Sequence, residues 1–158
     1  MEKDKTIERL KSCMLMDYAC SAVYHLMAMH YPEEKELWNE LASVEESHAD
    51  VIAKALGFKI INYSDFTIPP ELKLIRKTVD YANEIREKLL NDKISLKEAL
   101  EMMKALQELR NESCYHDLIE KEPEERIKKV FRRFYEVDKT NLDLIRAVML
   151  RYGFKTDG

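Results

Sequence analysis

Glu45 and His48 stand three residues apart in the stretch Leu41-Ala-Ser-Val-Glu45-Glu-Ser-His48-Ala-Asp-Val-Ile52, where apolar residues recur at helical spacing. Side chains three apart on a helix project from one face, so a carboxylate oxygen and an imidazole nitrogen can meet at one point. That donor pair can form part of a metal site. Helical bundles hold metal ions in their interiors with ligands from facing helices. Alone, the pair has a plainer reading as two solvated neighbours, and its meaning depends on what faces it.

Composition fixes the kind of element that must do the positioning. The 158 residues include only three Gly and four Pro, with 46% hydrophobic and 35% charged residues. Such a chain has little turn chemistry for a sheet, so the fold class is all-α with long helices. Its length suits a single domain with a core of its own. The net charge of −4, with both signs interspersed, supplies no basic stripe for nucleic acid. Cys13, Cys20 and Cys114 form an odd set without a Cys-x-x-Cys motif, which disfavours a disulfide framework or thiolate metal cage and implies free thiols in a reducing compartment. The N-terminal Met1-Glu-Lys-Asp-Lys lacks a signal-peptide pattern, and the expected location is cytoplasmic. Residues Ser12 to Tyr31 contain no Lys or Arg, but Asp17 in their midst would cost roughly 2.5–3.5 kcal/mol at the centre of a lipid-embedded helix. This is the pattern of a core helix, with no membrane partner.

The first helix should run from about Lys3 to His30, along a seam of Ile7, Leu10, Met14, Asp17, Ser21, Tyr24, Ala28 and Tyr31. Asp17 is an acid on a buried stripe and requires a partner. Pro32-Glu33-Glu34 makes a tight hairpin into a second helix that ends near Leu56 at Gly57. Periodicity disappears from Phe58 to Pro70, where the chain crosses over. A third helix follows from about Glu71 to Leu90. Ser95 and Glu98 form a capping box for a fourth long helix reaching about Lys121. Pro123-Glu124-Glu125 repeats the hairpin signal, and the last helix extends to about Tyr152.

The two hairpins, about 3–57 and 95–153 with a crossover at 58–94, repeat one another. Tyr24-His25 stands eight residues before Pro32, as Tyr115-His116 does before Pro123. Asp17 and Glu108 each lie seven residues before the tyrosine, Glu45 aligns with Asp138, and His48 aligns with Asn141. Antiparallel residues equidistant from a turn share one height. Asp17 with Glu45, and Glu108 with Asp138, are each centred on their Pro turn, about 20 Å from the tip at about 1.5 Å per residue. If the halves pack pseudo-symmetrically, four carboxylates and His48 converge.

On these motifs the chain resembles the ferritin-like superfamily, and within it the rubrerythrin-like proteins, over most of its length. The family pattern is Glu seven residues before Tyr on helices one and three, with Glu-x-x-His on helices two and four and a long crossover. Glu45 with His48 and Glu108 with Tyr115 match in full; Asp17 is a shortened match, and Asp138 with Asn141 is a degraded one. The resemblance implies an up-down four-helix bundle with an extra helix in the crossover. It implies a mono- or dinuclear iron-type site, with manganese or zinc as alternatives, ligated by Asp17, Glu45, His48, Glu108 and Asp138. Tyr24, Tyr115 and Asn141 would surround the ligands as hydrogen-bonding groups. The implied activity is reduction of peroxide or dioxygen. Without the rubredoxin-like tail of full rubrerythrins, electrons would come from a separate donor; a homodimer is left open.

The rival reading is a helical bundle whose metal site has degenerated, leaving a scaffold or interaction module with no cofactor. Acids converging in a dry interior repel one another and resist desolvation, so a lost site should carry lysines or arginines in its seams. The seam-adjacent cations are Lys139 and Arg110, and on sequence grounds this scarcity favours metal.

Overall fold

The computed structural model describes residues 2–57 and 67–156; most of the crossover expected at 58–70 lies outside them. Every regular element among the described residues is helical. The chain divides into two compact units, one up to Glu87 and the other from Lys88, and each contains one of the hairpins anticipated from the repeat.

In the first unit, α1 (Glu2–His30) and α2 (Lys35–Leu56) pack against each other across a single turn of 3-10 helix at Pro32–Glu34. Proline suits that position because a first-turn N–H has no helical acceptor to lose. Cys13, Met14, Met16, Cys20, Val23, Tyr24 and Met27 are buried from α1, and Trp38, Leu41, Ala42, Ala49 and Ile52 from α2. Gly57 closes α2 at φ 74, its N–H bonded to the Ala53 and Lys54 carbonyls, a left-handed conformation that glycine adopts without strain. After the crossover, Arg76 donates from Nη2 to the Ile68 carbonyl at 2.7 Å, fixing the entry to α3 (Lys73–Asn91). Ile75, Val79, Ala82, Ile85 and Leu89 form its buried face.

In the second unit, α4 (Leu96–Glu108) runs into a π-helical segment, Leu109–Cys114, then α5 (Tyr115–Lys121), and turns into α6 (Glu125–Arg151). The fourth helix expected to reach Lys121 therefore does so, with a wider turn inside it. Both α4 and α5 pack on α6. The Glu124 N–H donates to the buried Glu122 carboxylate at 3.1 Å, which ties down the start of α6. No described helix is long and apolar enough to cross a membrane.

The Ser95 hydroxyl accepts the Glu98 N–H at 3.1 Å, satisfying one of the first-turn donors of α4. Ser95→Ala should lower stability by about 1 kcal/mol and Ser95→Asp by much less, as read from urea unfolding followed by circular dichroism.

Candidate metal centre

Both α1 and α2 are regular helices, so positions equidistant from the Pro32 turn do come level. Asp17, Glu45 and His48 each present one ligand atom, and these atoms all lie within 4.8 Å of one another. The two acids are 0% exposed and His48 only 6%. One turn before Asp17, the Cys13 thiol points at Asp17 Oδ2 with a separation of 3.9 Å. Cys13 is thus a neighbour of the cluster, a place that its reading as one of three thiols outside any Cys-x-x-Cys motif did not announce.

The donor set fits a divalent ion. Two carboxylates bring two negative charges and neutral imidazole none, so a doubly charged cation leaves the buried group electrically neutral. Ligand atoms about 2.1 Å from a common ion stand about 3.0–3.4 Å apart at cis-octahedral or tetrahedral angles, so atoms at the 4.8 Å limit would draw in by about 1.4–1.8 Å around an ion. Three protein ligands would leave positions open for water or another small ligand.

Beside the cluster, α1 and α2 are joined by a second polar contact. Glu46 Oε1 accepts the Ser21 hydroxyl at 2.8 Å and lies 2.6 Å from His25 Nε2. Ser21, an interruption of the α1 seam, is thereby satisfied although buried. Hydrogen bonds from His25 and then Ser21 hold the Glu46 carboxyl below its ordinary value of 4.5. Glu46 was invisible beside the more informative Glu45, and its role depends on His25 standing across the hairpin.

The second hairpin resolves its buried acid differently. Arg110 Nη2 donates to Asp138 Oδ2 at 3.0 Å, with both side chains 0% exposed, and the same nitrogen donates to the Tyr115 hydroxyl at 2.7 Å. Asn141 Nδ2 donates to Asp138 Oδ1 at 3.1 Å, so the residue aligned with His48 clamps the acid. Asn111 and Gln107 donate to the Asp138 backbone carbonyl at 2.9 and 3.4 Å. Glu108 points elsewhere: its side chain is 35% exposed and pairs with Lys104 at 3.1 Å and Arg146 at 3.6 Å.

The π segment accounts for that rotation. It accommodates one residue more than an α-turn, which swings everything on its N-terminal side by about 100°. Gln107, 0% exposed, therefore takes the inward position that the repeat assigns to Glu108. No family model, curated protein or solved structure matches the chain.

Of the five ligands expected from sequence, the structure groups Asp17, Glu45 and His48. Asp138 and Glu108 instead have cationic partners within their own unit. Among the outer residues, Tyr24 is buried and stacked on Trp38, with ring centroids 6.3 Å apart. Tyr115 and Asn141 serve the Arg110–Asp138 pair. His116 pairs with Glu120 on the surface at 3.2 Å.

Because Glu46 titrates lower in the folded chain, its contribution is present above pH 4.5 and lost as pH falls through its depressed value. Denaturant unfolding between about pH 6 and 3 should show wild type losing its advantage over Glu46→Gln across that acidic window. Its exposure keeps the effect small.

Proposed function

We propose that the protein is a metal-binding helical protein of the ferritin-like kind, whose ion is held in the first hairpin by Asp17, Glu45 and His48. The observation that carries this reading is the convergence of two fully buried carboxylates and a buried imidazole within 4.8 Å. Iron, manganese and zinc are the candidate ions for this donor set. The buried thiols of Cys13, Cys20 and Cys114, none of them in a disulfide, suit a reducing cytoplasmic setting.

When bound, the ion would supply Lewis-acid chemistry and, if iron or manganese, electron transfer to a small oxidant such as peroxide or dioxygen. The chain's own contribution is positional. Asp17 and Glu45 balance the charge, His48 adds the nitrogen donor, and the Cys13 thiol orients the Asp17 carboxylate. Burial strengthens each of these electrostatic contacts by keeping out bulk water. A redox role would draw electrons from a separate donor.

The rival, a scaffold whose site has degenerated, draws specific support from the second hairpin, where Arg110 neutralises Asp138. Metal analysis of chelator-free protein separates the two. The metal reading expects iron, manganese or zinc near stoichiometric amounts, lost in Glu45→Ala/His48→Ala; a folded wild type free of metal after titration with all three would favour the scaffold. Added metal should also raise thermal stability by about 4 kcal/mol at free concentrations ~1,000-fold above Kd, and Asp17→Ala should abolish most of that rise. Peroxide consumption with a supplied reductant would then distinguish an oxidoreductase from a metal carrier.

A further inference from the structure

We infer that the Arg110 guanidinium is the built-in cation of the second hairpin, occupying the role assigned to a metal ion in the first, so that the protein takes one ion per chain. The one-ion count rests on the metal reading above, whereas the arginine's role rests on the second hairpin alone.

The correspondence is positional. Asp138 aligns with Glu45, Asn141 with His48 and Tyr115 with Tyr24, and all three are buried around Arg110 or its acid. Both Asp138 oxygens are engaged, Oδ2 by Arg110 and Oδ1 by Asn141. The Arg110 carbon Cζ lies 5.5 Å from the Tyr115 ring centroid, so the tyrosine both accepts its hydrogen bond and flanks the cation. Arg110 with Asp138 is already neutral. A divalent ion inserted there would meet a fixed positive charge at low dielectric, where like charges repel most strongly.

The π segment makes the exchange possible. Its wider turn, Leu109–Cys114, contains Arg110 and Asn111, and both side chains reach across to α6 at Asp138. The same turn directs Glu108 to Lys104 and Arg146, removing the acid that would have shared an ion with Asp138. Substituting a permanently charged fork for an exchangeable ion makes this half's assembly independent of metal supply.

The test pairs metal counting with thermal unfolding in full-length wild type, Asp138→Asn, Arg110→Gln, the double Asp138→Asn/Arg110→Gln, and Arg110→Met/Asp138→Leu. Breaking either partner should lower Tm by roughly 10 °C, and the double amide variant should lose markedly less than the two single losses combined. Arg110→Met/Asp138→Leu, which removes the pair together, should fold and keep the wild-type metal content, which also decides the matter should a single variant fail to fold. Wild type should contain no more than one ion per chain. Two ions per wild-type chain, loss of metal in a folded Asp138 variant, or additive Tm losses would overturn the inference. A wild type that binds no metal would defeat the proposed function while leaving the Arg110–Asp138 coupling to be judged by the unfolding data.

Discussion

Burying a carboxylate in a helical interior removes it from water, and the structure around it must supply what water supplied. Asp17, Glu45 and Asp138 are all 0% exposed, and the local design around each answers that constraint. In the first hairpin two acids are gathered with a histidine, a set whose donors and charge match a divalent ion. In the second, one acid is gathered with an arginine, two asparagines and a glutamine. Each hairpin pairs helices across a proline, but the first turns through a 3-10 segment at Pro32–Glu34 and the second through extended residues on either side of Pro123, and the second also carries a widened turn.

That turn explains which parts were legible in the sequence. Helix limits, the Ser95 cap, the Gly57 stop and the Pro32 hairpin all follow from local chemistry and appear within about two residues of their expected places. The height rule works for Asp17 and Glu45 because α1 and α2 are regular on both sides of the tip. It fails for Glu108 because counting residues back from Pro123 assumes an α-helical rise and rotation throughout, and Leu109–Cys114 breaks the count. A signal was present: where α1 has Leu10, Met14 and Ser21, the aligned positions are Glu101, Ala105 and Glu112, all exposed. The positions one residue earlier, Leu100, Lys104 and Asn111, are the buried ones. A stripe displaced by one residue is what an inserted residue produces, and it also moves Gln107 inward in place of Glu108.

Arg110 was the harder residue to read. In the sequence it stands only as a cation beside the seam, two residues after Glu108, yet its side chain is fully buried. Guanidinium is more weakly hydrated than ammonium and presents several donors in a fixed plane, which suits it to an interior acid and a tyrosine at once. The scarcity of seam cations, taken from sequence as support for metal throughout, therefore holds no weight for the second hairpin, where one arginine is enough. At the first hairpin's edge, Ser21, His25 and Glu46 show the ordinary counterpart, a partly exposed hydrogen-bonded trio that links α1 to α2 and depends on solvent for much of its charge balance.

The account's central claim is that one divalent ion belongs to the first hairpin. Anomalous X-ray diffraction from crystals of the manganese- or iron-loaded protein addresses it directly, since the scattering locates the ion independently of any activity. The account predicts an anomalous peak about 2.0–2.3 Å from a carboxylate oxygen of Asp17, one of Glu45 and a ring nitrogen of His48, with Arg110 still on Asp138. Fully loaded crystals with no peak at that cluster, or with the ion bound at Asp138 and Arg110 displaced, would contradict it.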